Sequence, residues 1–157
     1  MKTAEHILDE KGTDIVAVDR TTRIFDALKL MLQKNVGAVI VERDGDPVGI
    51  WTARDLMRNS TEKDFDPHTA RVADYMSTGI LSAPYNDTAY SLMDKFLGRR
   101  VNHLLIEKEG RYIGLLSSGD VMRATLQEKT EELSRLNRMV SWEYYEEWRW
   151  KPKSGPG

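Results

Sequence analysis

The 157-residue sequence contains no cysteine, which removes disulfides, thiolate nucleophiles and thiolate metal sites together. Histidine is scarce: His6, His68 and His103 lie far apart and lack the spacing of metal ligands. No apolar run approaches the roughly 18 residues of a membrane span. Met1 to Glu10 lacks the basic and apolar regions of a signal peptide, so a cytoplasmic protein with no membrane partner is expected. A net charge of -2 with 31% charged residues supplies no basic surface for nucleic acid. Neither a phosphate-cradling P-loop nor a dinucleotide fingerprint occurs. Ser60-Thr61-Glu62-Lys63 matches Ser-x-x-Lys but lies in a polar connector.

What is present is a repeat. Val48 to Arg58, V-G-I-W-T-A-R-D-L-M-R, returns 65 residues later as Ile113 to Arg123, I-G-L-L-S-S-G-D-V-M-R. Extended upstream without a gap, Val36 to Arg58 lies over Val101 to Arg123. The identities are Val36/Val101, Glu42/Glu107, Gly45/Gly110, Gly49/Gly114, Asp55/Asp120, Met57/Met122 and Arg58/Arg123. Self-similarity at a fixed offset marks a tandem duplication. A copy of that length is near the lower limit for burying a core alone, so the halves are expected to fold against each other.

Each copy reads as an opening helix, strand, helix, strand, strand, helix. In the first, Thr3 to Leu8 forms a short helix and Ile15 to Val18 a strand. Ile24, Ala27, Leu28, Met31 and Leu32 fall at helical spacing with Thr21 or Thr22 as N-cap. Two β-branched runs flank Asp44-Gly45 as a hairpin. Asn59 to Thr69 connects the copies. In the second, Arg71 to Ser77 matches the opening helix, Ile80 to Ala83 the strand, Asn86 to Leu97 the helix, and the hairpin turns at Glu109-Gly110. The closing helix runs on to about Tyr145, with Met122, Leu126, Leu133, Leu136 and Val140 on one stripe that has no partner left in the monomer. Aromatics then crowd among glutamates from Trp142 to Trp150, and 151–157 is Pro/Gly-rich.

Two copies ending in Gly-x-x-[Ser/Thr]-x-x-Asp, opened by A-E-H-I-L-D-E-K-G and V-A-D-Y-M-S, resemble a pair of cystathionine-β-synthase (CBS) domains, a Bateman module. The resemblance implies an α/β (α+β) fold of two repeats related by a pseudo-two-fold axis: repeat 1 at 1–65, repeat 2 at 66–127, a C-terminal helix and aromatic tail at 128–150. It also implies a non-catalytic sensor that binds an adenine nucleotide (AMP, ADP or ATP) between the repeats.

Thr52 and Ser117 sit where a strand enters a helix, so their hydroxyls and the unpaired N–H groups beyond form a seat for phosphate. Asp55 and Asp120, one turn on, repel phosphate but accept from a ribose diol. The competing reading is that both pairs are helix capping boxes with no ligand. The sites should differ, because Arg54 offers a guanidinium where Gly119 offers only space. Around the second cleft the candidate cations are Arg99, Arg100 and His103. The resemblance further implies adenine held at the loop leading into each first strand: Thr13 to Val16 (Thr13, Ile15 and Val16) and Thr78 to Leu81 (Thr78 and Ile80). The family often has proline on the middle strand, whereas this sequence has Ile40 and Leu105. The expected assembly is a homodimer paired through its helices. The alternative is a ligand-free module whose aromatic tail docks a regulated partner protein; a nucleotide hydrolase lacks metal ligands and a positioned base.

Overall fold

Positive φ at the hairpin tips, Asp44 and Gly45 in one copy and Glu109 and Gly110 in the other, folds each pair of β-rich runs back on itself. The computed structural model describes residues 1–12 and 15–137. The order is α1 (Ala4–Lys11), β1 (Ala17–Asp19), α2 (Ile24–Lys34), β2 (Ala38–Arg43), β3 (Asp46–Thr52) and α3 (Ala53–Asn59). Then follow α4 (Val72–Tyr75), β4 (Ser82–Pro84), α5 (Ala89–Arg99), β5 (His103–Lys108), β6 (Arg111–Ser117) and α6 (Ser118–Asn137). Two three-stranded sheets result, β1-β2-β3 and β4-β5-β6, each with one parallel and one antiparallel pair and the same register shift in its hairpin.

The α/β fold of two like repeats with a C-terminal helix agrees with the sequence reading, and several local expectations are corrected. Ile15, Val16, Ile80 and Leu81 precede their strands instead of forming them. Helix α2 starts at Ile24 with Arg23 as N-cap and no side-chain cap, not with Thr21 or Thr22. The carbonyls of Ala70 and Pro67 accept the Ile24 and Phe25 N–H groups at 2.9 Å each, so the connector satisfies the donors that a threonine would have served. Helix α6 ends its described course at Asn137, with Met122, Leu126 and Leu133 exposed. Val140, the Trp142 to Trp150 tail and 151–157 lie outside the described residues.

Each sheet is closed by the opening segment of the opposite half. Ala4 and Ile7 of α1 join Leu92, Phe96, Leu104, Ile106, Leu116 and Val121 in the second core. The Ala4 and Glu5 N–H groups donate to the Asp87 and Tyr85 carbonyls at 2.8 and 3.0 Å, and Lys108 pairs with Glu5. Conversely Val72 of α4 joins Ile24, Met31, Val39, Val41 and Trp51 in the first core, with Tyr75 and Met76 packed against it. The Val72 and Ala73 N–H groups reach the Thr22 and Arg20 carbonyls at 2.8 and 3.1 Å.

This crossing explains the motif glycines. A Cβ on Gly49 would stand 2.4 Å from the Met76 Sδ and 3.0 Å from the Ser77 carbonyl oxygen; one on Gly114 would stand 2.7 Å from a Leu8 methyl. The bare glycine face lets the opening segment lie against the sheet.

Candidate functional site

Because β2 is parallel to β1 and antiparallel to β3, three chain ends meet at one edge of each sheet: the loop into β1, the start of β2 and the strand-to-helix turn after β3. The second sheet repeats this arrangement, and the two edges face each other. Gly37 and His103 line both of the hollows left between them.

The first cleft, about 730 Å³, joins the Thr52 motif of repeat 1 to the loops of repeat 2. Thr52, Arg54, Asp55 and Arg58 face Thr78, Ile80, Leu81 and Arg100. The second, about 640 Å³, joins Ser117, Asp120 and Arg123 to Ile15, Val16 and the start of β2, with Lys11 and Leu8 of α1 on its rim. Each motif therefore serves the loop of the other half. Thr13 lies outside the described residues.

One placement is corrected. Arg100 belongs to the first cleft, not to the one around Ser117, and Arg99 lines neither. The reason is topological: β4 and β5 run parallel, so the turn from α5 into β5 lies beside the loop into β4, and that loop faces Thr52. Besides Arg123 of the motif's own helix, Lys11 is a cation of the second cleft that sequence reasoning missed. Its spacing from the motif carries no signal, and only the crossing of α1 brings it there.

Both capping boxes are formed. The Asp55 Oδ2 accepts from the Thr52 N–H at 2.9 Å and the Thr52 hydroxyl at 3.1 Å, while the Asp55 N–H donates to the Thr52 Oγ1 at 3.2 Å. The Asp120 Oδ2 accepts from the Ser117 N–H at 2.8 Å and the Lys11 ammonium at 2.9 Å, and the Asp120 N–H donates to the Ser117 Oγ at 3.1 Å. Capping engages Oδ2 in each case, and among the described residues the Oδ1 atoms meet only guanidinium groups, Arg58 at 3.7 Å and Arg123 at 3.5 Å. Capping and ligand binding are therefore compatible on one side chain.

Burial pulls the Asp120 carboxyl upward, but the Ser117 N–H and the Lys11 ammonium outweigh it and hold the group below the ordinary carboxylate value. His103, on the middle strand opposite Ser117, is held below the ordinary histidine value by burial and then by Lys11, against the pull of Asp120 and Asp55. Burial thus favours its neutral form.

Two duplicated sheets facing each other across paired hollows define a tandem-repeat cleft module. The chain belongs to the CBS domain family, whose profile matches residues 9–62 and 72–127. It is 32% identical over 126 residues to the mitochondrial CBS domain-containing protein CBSX3 of Arabidopsis thaliana, covering 77% of this chain and 61% of that protein's length. Among solved structures it resembles the CBS domain protein NE2398, with 35% identity and a TM-score of 0.74 over 80% of this chain and 99% of that one. It also resembles CBSX2, solved in complex with AMP, with 27% identity and a TM-score of 0.63 over 74% of this chain and 90% of that one. No helix among the described residues is long and apolar enough to cross a membrane.

Proposed function

We propose that the protein is a regulatory module that senses an adenine nucleotide (AMP, ADP or ATP) and has no catalysis of its own. The observation that carries this reading is the pairing of each hydroxyl–aspartate motif with the loop of the other repeat, because a ligand in either cleft touches both halves. Asp55 and Asp120 take ribose hydroxyls through their carboxylates. Thr52 with Arg54 and Arg100, and Ser117 in the second cleft, take phosphate. Ile15 with Val16, and Thr78 with Ile80, hold the base. The AMP complex of the similar CBSX2 supports this ligand class. A ligand shifts the relative set of the halves only as far as it prefers one arrangement, and α6, continuous with the second motif, carries the response outward.

The assembly that fits is a homodimer through the helical faces. Phe25 and Tyr90, Leu32 and Leu97, and Met57 and Met122 are equivalent residues of the two repeats, and all are exposed apolar side chains. One observation favours a second reading, a ligand-free docking module: Leu133 continues the exposed apolar stripe of Met122 and Leu126 along α6 beyond the repeats.

Thermal denaturation with AMP, ADP, ATP and S-adenosylmethionine tests the proposal. A bound nucleotide at a hundred times its dissociation constant adds about 2.7 kcal/mol, and the Asp55→Asn/Asp120→Asn double variant loses that gain. A chain whose melting responds to none of the four is a docking module instead.

A further inference from the structure

The two clefts share a motif, but the groups around its carboxylate differ. Asp55 is bonded within its own helix start, and its nearest cation, Arg58 at 3.7 Å, is 72% exposed. Asp120 is held from a distance: the Lys11 ammonium, 109 residues away in sequence, lies 2.9 Å from its Oδ2, and the Lys11 side chain is 27% exposed. The same ammonium donates to the Leu115 carbonyl at 3.3 Å. The equivalent carbonyl of the first repeat, that of Ile50, accepts the Ser77 N–H at 2.8 Å. Met76, which packs on Gly49 as Leu8 packs on Gly114, brings no charge to that place.

A ribose diol approaching Asp120 competes for an anion that an ammonium already holds. Taking the carboxylate over breaks that ion pair and leaves the partly exposed Lys11 ammonium to solvent, a loss that an arriving anion offsets. A phosphate supplies one, and an uncharged nucleoside does not. Burial of His103 beside it favours the neutral imidazole over a rival cation. In the first cleft no cation from the opposite half has to move. Arg54 and Arg100 are exposed and, among the described residues, form no ion pair, so they stay hydrated when no phosphate is present.

We infer that Lys11 is a specificity-determining residue of the Ser117–Asp120 cleft. That cleft admits adenosine compounds that bring a negative charge, by exchange of Lys11 from Asp120 to the ligand, whereas the Thr52–Asp55 cleft admits charged and uncharged ones alike. This rests on the reading that both clefts take adenosine compounds.

Calorimetric titration with AMP and with adenosine tests it. The wild-type chain is expected to bind two AMP but one adenosine. In Asp55→Asn, where only the second cleft keeps its carboxylate, adenosine should bind at least about tenfold more weakly than AMP. Adding Lys11→Met, which keeps the length of the side chain but not its charge, should close that gap, and Lys11→Arg should preserve it. Two equivalents of adenosine on the wild-type chain, or an unchanged gap with Lys11→Met, overturns the assignment of Lys11 while leaving nucleotide sensing intact. Failure of the wild-type chain to bind either compound overturns both. The wild-type stoichiometries decide the matter even where a variant does not fold.

Discussion

Gly49 and Gly114 act through a missing side chain, and their neighbours differ in how far they can give way. At Gly49 an added methyl meets a backbone carbonyl oxygen as well as Met76, while at Gly114 it meets only the end of Leu8. Gly49→Ala is therefore expected to destabilise by about 1–3 kcal/mol and Gly114→Ala by less; urea unfolding compares them. His103 gives the molecule a pH dependence of definite sign. With its folded value lowered from 6.5, the unfolded chain binds the proton first as pH falls below that value. The histidine's contribution is thus fully present above about pH 6.5 and is lost as pH falls through the lowered value. Asp120 adds a second loss at lower pH, since its carboxyl is held below 3.8. Melting temperatures of His103→Gln and wild type across pH 5 to 8 should show a shallower slope for the variant. Neither effect could be read in the sequence, where Gly49 is one glycine in a strand and His103 a lone replacement for Ala38.

Helix starts show where local chemistry decides and where tertiary contacts do. Thr52 and Thr88 cap α3 and α5 with their hydroxyls, as the sequence suggests for residues of this type. At α2 the threonines were nearby and unused, because backbone carbonyls of the connector reach the first turn before any side chain is needed. Thr88→Ala should therefore cost about 1 kcal/mol, and Thr22→Ala much less at the helix start, as chemical denaturation would measure. Elements with a strong period or a turn dipeptide, such as α2, α5 and both hairpins, were legible. The strands β1 and β4 were placed too early, since an apolar run does not reveal that Ile15 and Ile80 line a cleft instead of pairing in a sheet. The buried Trp51 indole donates to the Asn59 Oδ1 at 3.0 Å, so Asn59→Leu strands a buried donor and is expected to cost about 1–3 kcal/mol.

At the scale of the whole molecule, the duplication announced two halves but not which segment belongs to which core. A cut after Phe65, between the two sequence copies, would leave Ala4 and Ile7 without the core they fill, and would deprive the first sheet of Val72. Fragments 1–65 and 66–157 are expected to lack cooperative melting apart and to regain it when mixed, as calorimetry would show. The exposed equivalents Leu32 and Leu97 set the assembly test: Leu32→Glu/Leu97→Glu should shift sedimentation from dimer to monomer, and a wild-type chain sedimenting as a monomer would remove the homodimer.

The exchange of opening helices also bears on how such a chain arose. In an unduplicated ancestor the same crossing takes two molecules, each lending its first helix to the sheet of the other. Fusion of two genes would then have joined partners that were already interlocked, with the connector from Ser60 to Ala70 as the seam.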